Sequence, residues 1–215
     1  MATPRRRGNK TGRAGRSLPV NGRLARVERK TRETEVTLEL NLDGSGVYQI
    51  ETTIPFLNHM LEVWARHGLL DLMVKARGDT EVDLHHTVED VAICLGQAFR
   101  QALGDARGIV RYGAAFVPMD EALVSVVLDC SNRPHLTFNA PLGHAQIGNF
   151  DVGMVPHFLR SFSLNAGVTL HVNLYYGENL HHITEAIFKA FGRALSEATR
   201  LNPRATDVPS TKGKL

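Results

Sequence analysis

The chain has 215 residues, 43% apolar and 22% charged, enough to bury a full core as one domain or two fused halves. No apolar run approaches the ~20 residues of a membrane span. Two isolated cysteines, Cys94 and Cys130, argue against a disulfide framework or a thiolate zinc site and fit a reducing cytosol. The net charge of +3 is unevenly spread: residues 1–23 hold seven positive charges and no acid, so +3 less 7 leaves −4 for the remainder, which excludes a basic nucleic-acid-binding body.

The basic tail, residues 1–23, is rich in Gly, Pro, Ser and Asn and is expected to be disordered. It lacks the apolar region of a secretory signal, and a plain solvated tail is favoured over nucleic-acid contact or organelle targeting. From Thr31 the pattern is regular. Val36, Leu38, Leu40 and Leu42 alternate with polar residues as a half-buried strand. Asp43-Gly44-Ser45-Gly46 reads as a hairpin turn into a second strand, roughly Val47–Ile54. Pro55 suits a first helical turn, and Phe56, Met60 and Val63 or Trp64 repeat at helical spacing until Gly68. Leu70–Ala76 alternates as a strand, and Gly78-Asp79 turns the chain. Thr87 is placed to cap the next helix, with Asp90 completing a capping box. Val88, Val91, Leu95 and Phe99 form that helix's apolar stripe, and Gly104–Gly108 closes the half. The second half rhymes with the first. Ala122–Asp129 is a strand, and Pro134–Gly148 reads as strand fragments and loop. Val155–Asn165 is helical, Gly167 ends it, and Val168–Tyr175 is a strand. Gly177-Glu178-Asn179 leads to the last long helix.

Two matched motifs stand out. His85-His86-Thr87-Val88-Glu89 and His181-His182-Ile183-Thr184-Glu185 are both His-His-x-x-Glu, and each opens a helix. About two dozen residues before each lies another His in an apolar helical stretch, His59 and His157. A lone His of this kind is usually structural; the ordered recurrence of the whole set points to two metals. Imidazole with carboxylate and no thiolate suits an octahedral ion such as Mn²⁺, and also permits Fe²⁺, Co²⁺ or Zn²⁺. Glu89 can share a helix face with His85 or with His86, but adjacent side chains diverge, so the two histidines of a pair should serve different metals. Three His and one Glu per metal is the simple partition. The motif is not the HExxH of zinc proteases.

Of the other histidines, His171 reads as structural, and His135 and His144 carry no assignment. His67, late in the first helix, is a candidate substrate contact or a helix C-terminal cap. Arg111 and Arg133 sit at the ends of regular elements, where anion-binding arginines occur. Ser210, Thr211 and Lys212 could grip a phosphate, with a frayed polar tail as the plainer alternative. Lys189, four residues after Glu185, could reach the same place or form a solvated Glu–Lys pair.

The segments FLNHML, GDTEVDLHHTVEDVAICLGQAF, DEAL, YGENLHHITEAIFKAFGRAL and PSTKG, in this order, resemble the imidazoleglycerol-phosphate dehydratase family of histidine biosynthesis, from about Ala25 to Leu215. The resemblance implies an α+β fold of two duplicated halves, each a four-stranded sheet with helices packed on one face. The expected layout is 24–108 for the first half, 109–205 for the second, and 206–215 for a substrate-binding tail. It implies a cytoplasmic homo-oligomer, a 24-subunit shell with active sites at subunit interfaces, two Mn²⁺ per site, and neither membrane nor nucleic-acid partners. Carried over by motif, the metal ligands are His59, His85, His86, Glu89, His157, His181, His182 and Glu185. Arg111, Arg133, Lys189, Ser210 and Lys212 match residues around the substrate phosphate, with Thr211 in the same tail motif. Glu33 matches an acidic residue near the reacting carbons and is the candidate acid–base group. The sequence departs from the family in three places: Asn58 where Asp is frequent, Asn132 where Gly is common, and Val152–Pro156 before His157.

The implied reaction converts D-erythro-imidazole-glycerol phosphate to imidazole-acetol phosphate. Two metals on the two ring nitrogens would make the imidazole an imidazolate able to expel the neighbouring hydroxyl. Two rivals remain at this level. A dinuclear metallohydrolase would call for more carboxylate than this set has. A metal-storage or assembly protein would need no phosphate clamp.

Overall fold

The structure is a computed structural model and describes residues 22–215; the expected disordered tail lies outside the described residues as far as residue 21. In chain order the elements are β1 (Leu24–Lys30), β2 (Thr34–Asn41), β3 (Tyr48–Glu51), α1 (Pro55–Gly68), β4 (Asp71–Gly78), α2 (His85–Leu103) and β5 (Tyr112–Met119). There follow β6 (Ala122–Asp129), β7 (His135–Asn139), β8 (Gln146–Ile147), β9 (Phe150–Asp151), α3 (Met154–Ala166), β10 (Thr169–Tyr176) and α4 (Leu180–Thr199). Two four-stranded sheets run β1-β2-β4-β3 and β5-β6-β10-β7, with β8-β9 a small separate ribbon. The topology repeats: β3 is parallel to β4, and β7 to β10, while the other neighbours are antiparallel. The α+β class with two like sheets is as expected. Among the described residues no helix is long and apolar enough to cross a membrane.

Several local expectations are corrected. The Asp43–Gly46 turn does not make a hairpin of β2 and β3, because β4 lies between them. Buried Asp71 organises the turn instead, accepting the N–H groups of Ser45 (2.8 Å) and Val47 (2.9 Å). Two strands escaped the sequence pattern. In β1 only Ala25 and Val27 reach the core, too little apolar signal to read. In β5 the size pattern is inverted: small Gly113 and Ala115 face inward while Tyr112 and Phe116 face out. A Cβ on Gly113 would lie 1.9 Å from the Ala194 carbonyl, so α4 sits directly on that strand.

Thr87 is not a cap. It is the third residue of α2, buried, with its hydroxyl unpartnered. Asp83 accepts the His85 N–H instead (2.8 Å), and Asp90 pairs with Arg29 (2.8 Å) and Thr34. α4 is capped by Asn179, whose side chain accepts from His181 N (2.9 Å) and His182 N (3.4 Å). Pro156 falls third in α3, within the first turn, where its missing N–H has no intrahelical acceptor to lose. Asn58 Oδ1 accepts the Thr52 N–H (2.9 Å), a task a carboxylate oxygen could also do. Asn132 has φ 53°, the left-handed region that Gly and Asn tolerate best.

Helices from the two halves interleave between the sheets. α2 rests on β1 and β2 and packs against α3; α4 rests on β5 and β6 and packs against α1. One aromatic seam joins them: Trp64–Phe191 (5.7 Å), Phe162–Phe191 (4.9 Å) and Phe99–Phe162 (5.8 Å). Each helix pair approaches closely at a glycine. A Cβ on Gly192 would sit 2.3 Å from the Trp64 carbonyl oxygen, and one on Gly96 2.7 Å from that of Phe162. Gly96 stands eleven residues after His85, and Gly192 eleven after His181, so the repeat extends beyond the ligands. Gly192→Ala or Gly96→Ala must therefore push helices apart. Each is expected to cost about 1–3 kcal/mol as a lowered urea midpoint, and an unchanged midpoint would contradict the close-packing account.

Candidate metal centres

The helix crossing brings two ligand clusters together. His85 and Glu89 of α2 meet His157 of α3, and His181 and Glu185 of α4 meet His59 of α1. In each cluster the three candidate ligand atoms lie within 4.8 Å of one another. The sequence suggested matched sets, one per half; each cluster instead joins a His-His-x-x-Glu motif to the single His of the other half. Glu185 Oε2 lies 3.0 Å from His59 Nε2 and 3.2 Å from His181 Nε2. Glu89 Oε1 lies 3.5 Å from His157 Nε2, and the His85 and His157 rings are 4.2 Å apart. The first His of each pair shares its helix face with the Glu four residues on.

The second His of each pair points elsewhere. His86 Nδ1 lies 3.0 Å from Asp79 Oδ2, and His182 Nδ1 lies 2.7 Å from Glu121 Oε2. Neither ring belongs to a three-ligand cluster among the described residues. The hydrogen bond to Asp79 raises the His86 pKa, and that to Glu121 raises the His182 pKa. Glu121 is held down to about 2, chiefly by His182 and then by the Asn179 N–H. Sequence reasoning missed both carboxylates. Asp79 looked like a turn residue, and Glu121 lies 61 residues from its partner.

The inner clusters suit a divalent transition ion. His157 Nε2 is buried and makes no hydrogen bond, so a cation there would satisfy an otherwise orphaned nitrogen. Burial, with His85 nearby, pushes the His157 pKa down and keeps the ring neutral, the form that ligates. At Glu185 burial opposes the charge, but hydrogen bonds from Lys189 and His59 outweigh it and lower the pKa. Lys189 Nζ sits 2.7 Å from Glu185 Oε1, and both side chains are largely buried, so this is no solvated pair.

The remaining candidates divide between three places. Arg111, Arg133, Ser210, Thr211 and Lys212 line one open groove of about 910 Å³ with Asn132. Arg111 already donates to Asp129 (2.7 and 3.1 Å) and to the Pro209 carbonyl (2.8 Å), tying the tail to the sheet; Arg133 is 68% exposed. The chain end is not frayed. Gly213 N donates to Ser210 O (3.0 Å), and Leu215 packs against the hydrophobic core. Glu33 lies in the β1–β2 turn, 54% exposed, with its carboxylate 3.9 Å from His86 Nδ1. His67 lines a separate cleft of about 810 Å³ with Arg23, Arg193 and Phe116. Burial and then the Lys189 and Arg193 charges lower its pKa.

Known proteins resemble the chain over most of its length. The family model described as Imidazoleglycerol-phosphate dehydratase matches residues 52–195. The dehydratase of that name from Geobacillus kaustophilus (strain HTA426) is 55% identical over 193 residues, covering 90% of this chain and 99% of the relative. The one from Acetivibrio thermocellus is 58% identical over 189 residues, 88% of this chain and 97% of the relative. Among solved structures, the Staphylococcus aureus enzyme is 40% identical, with a TM-score of 0.74 over 83% of this chain and 98% of that one. The Pyrococcus furiosus enzyme, in complex with (S)-C348, is 36% identical, with a TM-score of 0.76 over 88% of this chain and 100% of that one. The chain belongs to the imidazoleglycerol-phosphate dehydratase family, a family of hydro-lyases.

Proposed function

We propose that this chain removes water from D-erythro-imidazole-glycerol phosphate to give imidazole-acetol phosphate, as a cytoplasmic, metal-dependent step of histidine biosynthesis. The observation that supports it most strongly is the pair of crossed His–His–Glu clusters, each with a further His directed away from it. Residues 24–108 and 109–205 are the duplicated units, and 206–215 is the substrate-binding tail.

The eight ligands His59, His85, His86, Glu89, His157, His181, His182 and Glu185 hold two divalent ions per active site, Mn²⁺ foremost. Each inner cluster supplies three ligands. His86 and His182 supply the fourth to sites in other copies, which makes the active site a property of a homo-oligomer, a 24-subunit shell. Ions held by these residues would supply Lewis acidity to the substrate's imidazole, favouring the imidazolate form from which the adjacent hydroxyl could be expelled.

The chain's own groups do the rest. Arg111, Arg133, Ser210, Thr211 and Lys212 bind the phosphate and fix the substrate's orientation. Lys189, held on Glu185 at 2.7 Å, is a further contact for the substrate phosphate, and His67 is a substrate contact from its own cleft. Glu33 takes the proton from the carbon adjacent to the one that loses its hydroxyl, so that proton and hydroxide leave as water; the resulting enol then tautomerises to the ketone. Glu33 suits that task, being exposed and making no contact with His86 shorter than 3.9 Å. The groove speaks against a pure storage or assembly protein, because ligands that only glue subunits need no phosphate clamp.

Three outcomes test this reading. Protein reconstituted with Mn²⁺ should form the enolisable ketone, lose activity to a chelator and recover it with added Mn²⁺; metal-loaded protein that yields no ketone would refute the reading. Glu33→Gln should slow turnover by about 10²–10⁴-fold with metal content and assembly intact. Near-normal turnover there would remove Glu33 from the acid–base role. Deleting Leu215 should raise KM with little change in kcat, since it frees the phosphate-binding tail; an unchanged KM would detach that tail from substrate binding.

A further inference from the structure

The adjacent histidines of each pair differ in what holds them. His85 and His181 face their own clusters. His86 and His182 face carboxylates: Asp79, at 3.0 and 3.2 Å from His86 Nδ1, and Glu121, at 2.7 Å from His182 Nδ1. A neutral imidazole whose Nδ1–H donates to a carboxylate keeps its lone pair on Nε2. The contact therefore selects which nitrogen can ligate, and it orients the ring.

The carboxylates are themselves fixed. Glu121 Oε1 accepts the N–H groups of Asn179 (2.9 Å) and Glu178 (3.3 Å), leaving Oε2 for His182. Asn179 is the N-cap of α4, so Glu121 is tied to the start of the helix that carries the ligands. Asp79 is held by its backbone: its N–H donates to the Glu33 carbonyl (3.1 Å), and its carbonyl accepts from Val82 N (2.8 Å).

The two carboxylates come from non-equivalent places. Asp79 lies between β4 and α2, whereas Glu121 lies in the β5–β6 turn. The turn matching that of Glu121 in the other half, between β1 and β2, carries Glu33, which is 3.9 Å from His86. Duplication alone would have copied one position. The same Nδ1–carboxylate contact built from two different positions points to a requirement of the second histidine itself.

We infer that Asp79 and Glu121 are positioning residues, which fix His86 and His182 with Nδ1 as donor and present Nε2 to a metal outside the two intrachain clusters. The inference rests on the proposed metal role of the two pairs. Carboxylate partners of ligating histidines typically contribute 10–100-fold in metal affinity.

The test uses the full chain with Asp79→Asn and, independently, Glu121→Gln, each with Mn²⁺ affinity measured by equilibrium dialysis. Each variant should bind Mn²⁺ about 10–100-fold more weakly, while remaining folded without metal and recovering kcat at high Mn²⁺. In a His86→Ala background Asp79→Asn should add nothing, and likewise Glu121→Gln in His182→Ala. Affinities equal to the unmodified chain in both variants, or fully additive losses in the double variants, would overturn the inference while leaving the proposed function standing. If the unmodified chain bound no Mn²⁺, the proposed function would fall and the inference with it.

Discussion

His59 can reach Glu185 only because α1 and α4 run closer together than ordinary side chains allow. Gly192 faces the Trp64 carbonyl with no room for a methyl group, and Gly96 does the same against α3. These two contacts set the helix spacing, and the spacing sets the ligand clusters. Each cluster takes its His-His-x-x-Glu motif from one half and its single His from the other. Neither half could hold its three ligands alone, so packing between the halves and assembly of the site are one event. The aromatic seam through Trp64, Phe191, Phe162 and Phe99 supplies the apolar burial that holds this arrangement shut.

The second consequence follows from helix geometry. Neighbouring residues at a helix start project about 100° apart, so a His-His pair must serve two directions. One ring joins Glu four residues on; the other points away from the cluster and is caught by a carboxylate from a neighbouring turn. A chain built this way carries incomplete sites and spare ligands together. On the proposed function, further copies of the chain complete the one with the other.

Much of the candidate site was legible because its residues are chemically rare and recur in order. His59, His157 and the two motifs stand out in any reading, and the structure gathers six of those eight residues into clusters. The i, i+4 partnership of His85 with Glu89 also follows from helical spacing. The crossing between halves was not legible, because local periodicity says which face of a helix is apolar but not which helix covers it. The close-approach glycines were in plain view, yet a glycine within a helix has no sequence signature of what it touches. β1 and β5 were missed for a related reason: their inward residues are small, so the alternation that marks a strand is faint or inverted. The expected hairpin failed because Asp43–Gly46 specifies a reversal, not the strand that pairs next. Thr87 misled because its resemblance to a capping residue was offset by Asp83, four residues earlier, which took the His85 N–H first.

The central claim is that each metal is held across the two halves of one chain. Anomalous diffraction at the manganese edge, from crystals of the Mn²⁺-loaded protein, tests it directly. The account predicts one peak bound by His59, His181 and Glu185 and another bound by His85, Glu89 and His157, with His86 and His182 reaching metals of other copies. A peak bound by His59 together with His85 and Glu89, or no peak at either cluster, would contradict it.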